Sequence, residues 1–181
     1  MSRSQLILVT LMGLVISGCA SGKRQWDITI RDPYLHGIGT DDVWSTAKSI
    51  GVTRIEVVLD EKLTCPHLFE KNDAPYGINT PEQCNILRKK LAAESISIGG
   101  FAMIVRLTDS NAETQALNQI SRAAVAIQQV GCRLLVLPIA ITGPEGEKIG
   151  DEEFIARGKV FVRELDRIAA KTGAQLAIEN L

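Results

Sequence analysis

The stretch Gln175-Leu176-Ala177-Ile178-Glu179-Asn180-Leu181 combines the apolar pattern of a β-strand with a single carboxylate, Glu179. It follows Gly173, a residue typical of a helix end, and four strand–helix units of similar length precede it. We therefore predict that it is the fifth strand of a repeating β/α protein. Because strands that alternate with helices are joined by right-handed crossovers, the sheet is expected to be parallel.

The upstream units follow the same pattern. Strands are predicted at Trp26–Ile30, Arg54–Leu59, Ile96–Leu107 and Leu134–Ile141. The strand at 134–141 is almost wholly apolar, which is typical of a parallel strand covered on both faces. No GxGxxG follows the first strand, so the dinucleotide-binding pattern of an open doubly wound sheet is missing. This favours a (β/α)₈ barrel over the open sheet, and we predict a partial barrel of four βα units plus strand five.

Capping residues and glycines indicate the helix ends. We expect helix starts at Thr40-Asp41, Thr80-Pro81, Ser110 and Asp151, and helix ends near Ile50, near Glu94, at Gly131 and at Gly173. The residues expected to face the core are Val43, Ala47 and Ile50 in the first helix, Cys84, Leu87 and Leu91 in the second, Leu117, Ile120, Ala124 and Ile127 in the third, and Phe154, Gly158, Phe161, Leu165 and Ile168 in the last.

Composition and charge are those of one globular domain. The chain has 181 residues, 45% apolar and 23% charged, with a formal net charge of −1. Nucleic-acid binding rewards a basic surface, so no nucleic-acid partner is expected. Cys65, Cys84 and Cys132 form no zinc-binding spacing; Cys65 with Cys84 could pair in an oxidising compartment, and Cys132 is expected to be a small buried hydrophobe.

The N-terminus has the pattern of an export signal. One positive side chain precedes an apolar run, residues 6–16, that is too short to span a bilayer comfortably. The following Ile16-Ser17-Gly18-Cys19 resembles a bacterial lipobox, although a plain signal peptide containing a cysteine is the alternative. We predict a lipoprotein signal peptide over 1–18, lipidation of Cys19, a tether over 19–25 and the barrel over 26–181. Ala20 after the cysteine favours the outer membrane of a Gram-negative cell, facing the periplasm.

Three stretches resemble the xylose-isomerase-like TIM barrel superfamily of sugar phosphate isomerases and epimerases. They are Gly51-Val52-Thr53-Arg54-Ile55-Glu56-Val57, Gly131-Cys132-Arg133-Leu134-Leu135-Val136-Leu137-Pro138 and Leu176-Ala177-Ile178-Glu179-Asn180, which resemble the second, fourth and fifth strands of that family. With the order of elements, the resemblance covers nearly all of the chain beyond the leader. It implies metal-assisted isomerisation, epimerisation or dehydration of a carbohydrate.

The resemblance also implies a metal ligand. The glutamate of the family's fifth strand binds a divalent metal and handles a proton, which places Glu179 as both metal ligand and catalytic residue. Manganese, magnesium or zinc would stabilise the oxyanion that forms beside a carbonyl. The partner ligands belong to later strands of that family, so weak or no metal binding is expected from this chain alone. The DNA-repair branch carries histidines at the ends of strands three and four, and neither end has one here.

The candidate site residues are Glu179, His36, Glu56 and Arg106. An unpaired carboxylate is costly inside an apolar strand, which favours a functional Glu179 over an edge residue. Glu56 could orient a substrate hydroxyl or pair with Arg54 or a neighbouring strand. His36 and Arg106 follow or end strands, where barrel sites form. They are candidates for binding a hydroxyl and an anionic group, with plain surface roles as the alternatives.

The segment 60–79 is long for a loop between a strand and a helix. Such loops are functional or disordered more often than short ones. Phe69 or Tyr76 could stack on a sugar ring, or the loop could be a surface excursion pinned by Pro66 and Pro75.

Taken together, these patterns predict the N-terminal half of a lipid-anchored sugar isomerase or epimerase. The alternatives are a non-catalytic carbohydrate-binding envelope lipoprotein and an inactive truncated fragment. In either case the open barrel edge favours self-association.

Overall fold

The structure, a computed structural model, describes residues 29–36, 38, 42–71 and 73–180, apart from the side chains of His36 and Asn180. The predicted signal peptide (1–18), the lipidation site Cys19, the tether (19–25), most of strand one and the predicted cap Thr40 lie outside the described residues.

Strands and helices alternate along the described chain. The strands are β1 Ile30–Arg31, β2 Arg54–Leu59, β3 Ser97–Met103, β4 Val105–Leu107, β5 Leu134–Ile141 and β6 Gln175–Asn180. The helices are α1 Asp32–His36, α2 Val43–Ser49, α3 Pro81–Glu94, α4 Ser110–Gln129 and α5 Asp151–Thr172. The predicted mixed α/β class is confirmed, and the bounds predicted for β2 and β5 match the structure.

All strand pairs of the six-stranded sheet are parallel. β3 and β4 both pair with β5 along one line, because the predicted third strand is interrupted at Ile104. The sheet therefore has five rows, β1, β2, β3 with β4, β5 and β6, and neighbours in the chain are neighbours in space. This sequential order contains no reversal of the kind found in a doubly wound sheet.

One contact shows that the sheet is strongly curved. β1 and β6 are its two outer rows, and four steps of about 4.8 Å would separate them by about 19 Å in a flat sheet. Yet the side chain of Arg31 in β1 donates a hydrogen bond to Glu179 in β6 at 3.2 Å. Two side chains that stand on a flat sheet could not bridge that gap, so the face that carries Arg31 and Glu179 is concave.

The core lies on the opposite, convex face, between the sheet and α2, α3, α4 and α5. Alternate residues of the central strands point there and are fully buried, among them Ile55, Val57, Leu135 and Leu137. α4 covers them with Ile120, Ala123, Ala124 and Ile127. The period-two burial of β2 and the period-3.6 burial of α4 identify one shared apolar layer.

One helix is capped by the residue predicted from the sequence, and two others are capped by a different residue. Thr80 caps α3 and forms the predicted capping box with Gln83. α2 begins at Val43 rather than Asp41, because the carboxylate of Asp42 accepts the Trp44 N–H at 2.8 Å. α4 is capped by Asp109 rather than by Ser110, since the Asp109 carboxylate accepts the N–H groups of Asn111 and Ala112 at 2.8 Å.

Most residues predicted to face the core do so, with two exceptions. Cys84, Leu87, Leu91, Phe161 and Leu165 are buried as predicted. Ile50, however, is 41% exposed just beyond the end of α2, and Phe154 is 50% exposed in the first turn of α5. Both lie at helix ends. A side chain there can have the helical periodicity of a core residue and still lie beyond the edge of the sheet that the helix covers.

Candidate functional site

A guanidinium and two carboxylates meet on the concave face of the sheet. Arg31 Nε donates to Glu56 Oε1 at 2.5 Å, and Arg31 Nη2 donates to Glu179 Oε2 at 3.2 Å. We call these three residues the Arg31 cluster. Their side chains are 30%, 19% and 48% exposed, in the order Arg31, Glu56, Glu179. The cluster is therefore reachable by a small molecule from the solvent.

The strand register explains why these side chains meet. Arg31 and Glu56 are direct partners in the β1–β2 ladder, and Glu179 lies opposite Pro138 in the β5–β6 ladder. Side chains of parallel partners point to the same face, so the register and the curvature together bring the three side chains together. Neighbouring positions on this face carry three small residues, Gly100, Ala102 and Ala177, and three larger ones, Val58, Val136 and Pro138.

Two of the three residues, Arg31 and Glu179, lie towards the end of the sheet where β/α proteins bind ligands, whereas Glu56 is the third of the six residues of β2. Arg31 is the last residue of β1, and Glu179 is the last but one of β6. The carboxyl ends of parallel strands carry the ligand sites of barrels and of open α/β sheets.

The charges within the cluster support one another. Burial alone would lower the pKa of Arg31, but the hydrogen bonds to Glu56 and Glu179 outweigh it and raise that pKa. The guanidinium therefore stays charged. With two carboxylates and one cation, the cluster retains one negative charge and can both donate hydrogen bonds to oxygen and accept them from hydroxyl groups.

A buried carboxyl, Asp32, lies next to the cluster in the chain. It has no exposed surface, its Oδ1 accepts the Val58 N–H at 3.0 Å, and its Oδ2 has no hydrogen-bond partner. Burial raises the pKa of Asp32 to about 7; the Val58 N–H lowers it, the nearby Glu56 charge raises it and the Arg31 charge lowers it. Asp32 therefore holds a proton more readily than an ordinary aspartate.

The Arg31 cluster does not fit the divalent metal that the resemblance implies. Among the described residues no group of three or more histidine, cysteine, aspartate or glutamate side chains is arranged to hold a metal ion. The carboxylate of Glu179, the expected ligand, is instead paired with a guanidinium, as is that of Glu56.

Arg106 is not part of the Arg31 cluster, although its register opposite Ala140 puts it on the same face of the sheet. Its side chain is exposed and forms no salt bridge with any residue that the structure describes. It lines a crevice of about 650 Å³ at the carboxyl end of β2 and β4, together with Lys62, Ile104, Gln115 and Gln119. The structure therefore brings Glu56 and Glu179 together through Arg31, and Arg106 lies outside this cluster, nearer the carboxyl end of the same face.

His36 ends α1, immediately beyond β1 and Asp32. Its side chain lies outside the described part of the structure, so its predicted contact with a substrate hydroxyl stays a prediction.

The segment 60–79 is packed into the core and is not a lid with stacking aromatics. Its apolar side chains are buried: Leu63, Cys65, Leu68, Phe69, Tyr76 and Ile78. Tyr76 packs edge-on against Trp44 of α2, with the ring centroids 5.6 Å apart, and is therefore not free to stack on a sugar. The alternative surface excursion is equally wrong, because the loop supplies part of the core itself.

A second cation with two carboxylates holds this loop. Lys90 Nζ contacts Glu70 Oε1 at 2.6 Å and Glu94 Oε1 at 2.8 Å, and it lies 5.7 Å from the centre of the Trp44 ring. We call Lys90, Glu70 and Glu94 the Lys90 cluster. Tyr76 adds a hydrogen bond from its hydroxyl to Glu70 at 2.8 Å. The hydrogen bonds from Lys90 and Tyr76 lower the pKa of Glu70 against the opposing effect of burial.

The three cysteines within the described part of the chain are buried and free. The pairing of Cys65 with Cys84, which the sequence left possible, is therefore not formed. Burial raises the pKa of all three thiols, which makes them unreactive, and Cys132 is the buried hydrophobe that was predicted.

Sequence reasoning missed Arg31 and Asp32. The available signal was their place: two charged residues directly after an apolar strand, where a parallel sheet has its carboxyl end. The bridge from Arg31 to a glutamate 148 positions away leaves no local pattern in the sequence.

No protein-family model matches the chain, and no curated protein matches it by sequence. Within the described residues, no helix is both long enough and apolar enough to span a membrane.

Proposed function

We propose that the protein is a carbohydrate isomerase or epimerase built on a (β/α)₈ barrel, whose first five strand rows are those described above. Two features support the barrel: the sequential order of parallel rows and a curvature that brings the first and fifth rows within reach of each other. In an eight-stranded barrel the first and fifth strands face each other across the axis.

The observation that carries the proposed function is the Arg31 cluster. A guanidinium flanked by two carboxylates suits a polyhydroxylated ligand, because the nitrogens donate to hydroxyl or carbonyl oxygens and the carboxylates accept hydroxyl protons. A carboxylate such as that of Glu179 can also act as the base that moves a proton between neighbouring carbons. The guanidinium would stabilise the oxyanion that results.

Exposed apolar side chains on β6 and α5 support the proposal that further elements pack against this sheet. On the convex side of β6, Ile178 is 52% exposed. Ile155 and Val162 of α5 are 51% and 48% exposed and lie on the same side of that helix, seven residues apart. This side is turned away from Arg157, which binds Glu113 of α4. Further βα units of a barrel would cover such a surface, and self-association of the chain would do so as well.

A second candidate function, non-catalytic carbohydrate binding in the cell envelope, has one observation in its favour. Both carboxylates of the cluster are paired with Arg31, so neither is presented as a free base. Both candidate functions require carbohydrate binding, so only turnover of the bound carbohydrate distinguishes the enzyme from the binding protein.

The test is binding and turnover of a panel of aldoses, ketoses and polyols by the full chain, monitored by saturation-transfer NMR and by proton exchange with D₂O. Binding that is lost in Glu56→Gln and Glu179→Gln but kept in Glu152→Gln, an exposed carboxylate on α5, is the expected result. Exchange of a carbon-bound proton selects the isomerase or epimerase. Binding without exchange selects the binding protein, and no binding contradicts both.

The envelope location is a further part of the proposal. The lipobox-like sequence places a lipid on Cys19, ten residues before the first described residue, Thr29. Expression in a Gram-negative cell with a labelled fatty acid is expected to label the wild type but not Cys19→Ser. Intact mass of the membrane-bound form then shows whether residues 1–18 are removed. Label in both proteins, or in neither, would contradict the anchor.

A further inference from the structure

We infer that Arg31 is the resident cation of this site: its guanidinium binds Glu179, the carboxylate that the resemblance gives as a metal ligand, together with Glu56, and it presents the positive charge to a carbohydrate oxygen. The inference deepens the proposed function and rests on it for the carbohydrate. The assignment of the cation stands on the geometry of the cluster alone.

Arg31 already occupies the space between the two carboxylates. Arg31 engages one oxygen of each carboxylate, at 2.5 Å for Glu56 and 3.2 Å for Glu179, using two different nitrogens. A guanidinium is a planar fork with several fixed donors, so it can serve two carboxylates at once. A divalent ion that coordinated Glu179 from the same side would lie against this positive charge, which opposes its binding.

The backbone fixes the guanidinium in this place. Arg31 and Glu56 are ladder partners on adjacent strands, and Glu179 reaches them only because the sheet is curved. Arg31 is the last residue of β1, and Asp32, directly after it, accepts the N–H of Val58 in β2. The base of the Arg31 side chain is thus held by two strands, while the side chain as a whole remains 30% exposed.

The cluster keeps further hydrogen-bonding groups available. The tip of Arg31 has donor capacity beyond the two hydrogen bonds it makes, and each glutamate has a second carboxylate oxygen. A carbohydrate bearing a carbonyl or hydroxyl oxygen can accept from Arg31 while its neighbouring hydroxyl donates to a carboxylate. These hydrogen bonds between the carbohydrate and the Arg31 cluster require no metal ion.

The experiment uses Mn²⁺ alone as the probe and the full chain as the protein, with free Mn²⁺ measured by electron paramagnetic resonance. Wild type is expected to bind Mn²⁺ no better than Arg106→Met, a control that removes an exposed arginine outside the cluster. In Arg31→Met, two carboxylates lose their shared counter-charge, so we expect Mn²⁺ affinity to rise by about tenfold or more. The gain must disappear in Arg31→Met/Glu179→Gln.

Two results would overturn the inference. One is wild-type Mn²⁺ binding that Glu179→Gln abolishes, since the metal would then displace Arg31. The other is a folded Arg31→Met protein, as judged by circular dichroism, that gains no affinity. If Arg31→Met does not fold, Arg31→Lys takes its place: one ammonium cannot hold both carboxylates in the same way, so an intermediate gain is expected, and no gain contradicts the inference. Mn²⁺ binding does not depend on carbohydrate binding, so this inference and the proposed function can fail separately.

Discussion

The Lys90 cluster and the Arg31 cluster have the same composition, one cation between two glutamates, but opposite surroundings. Lys90 lies beside the Trp44 ring and, through Glu70, ties the loop 60–79 to α3. The Tyr76 hydroxyl donates a hydrogen bond to Glu70 as well. Arg31 lies partly exposed on the concave face and joins strands that the sheet already holds in order. The first arrangement stabilises a loop; the second leaves polar groups within reach of a ligand. Surroundings, rather than residue types, separate a structural ion pair from a site.

The largest effect is expected from Trp44→Ala. Trp44 is 1% exposed and packs against Tyr76 beneath the loop, so its loss leaves a cavity and detaches the loop from α2. We expect a loss of about 4 kcal/mol in the free energy of unfolding, measured by urea denaturation. If Trp44→Phe, which keeps most of the volume, costs as much as alanine, packing is not the cause.

A pH effect is expected from Asp32, which lies beside the Arg31 cluster. Its pKa is about 7 in the folded protein and near its ordinary value of 3.8 when unfolded. Between these values the folded state binds more protons, so the free energy of unfolding falls as pH rises, by at most about 1.4 kcal/mol per pH unit, and levels off above pH 7. Urea denaturation of wild type and Asp32→Asn across pH 4 to 8 measures it. An equal slope in both proteins would assign the effect to other groups.

A smaller loss is expected from Lys90→Met, which leaves the part-buried Glu70 without its cation, while Glu94 keeps its ion pair with Lys48. We expect a cost of about 2 kcal/mol, decreasing with salt. The matched control is Arg167→Met on α5, which breaks an exposed pair with Glu164 and is expected to change stability by less than about 0.5 kcal/mol. Equal costs for the two variants would remove the distinction between a loop anchor and a surface pair.

The smallest effect on stability is expected from Arg31→Met. Its side chain and that of Glu179 are partly exposed, so solvent screens this pair and the cost should stay within about 1 kcal/mol, although Glu56 is only 19% exposed. Carbohydrate binding, measured by saturation-transfer NMR, should nevertheless be lost. A large loss of stability with unchanged binding would place the Arg31 cluster with the structural ion pairs.

Local patterns predicted most of the fold. β-branched and apolar runs located β2 and β5 to the residue, and the Thr80–Gln83 capping box located the start of α3. Gly51, Gly131 and Gly173 follow their helices with φ of +73°, +90° and +76°, as expected of helix-ending glycines. These features are set by neighbours a few residues apart, which is why they are visible in the sequence.

The interior of the loop and the partners in the candidate site were not predictable in this way. Asp109, and not Ser110, caps α4. Both residue types are good N-caps, so their order in the sequence does not show which of the two is used. The aromatic residues of 60–79 are equally compatible with a lid and with a core until Trp44 is known to lie beneath them.

The sequence by itself determined the alternation of strands and helices, their parallel arrangement and the strand that carries Glu179, because these follow from periodicity, caps and chain connectivity. Only the tertiary structure decided what Glu179 contacts. The curvature of five strand rows brings β6 within reach of β1, and with it a guanidinium that lies 148 positions earlier in the chain. Curvature is a collective property of the sheet, and no short stretch of the sequence encodes it.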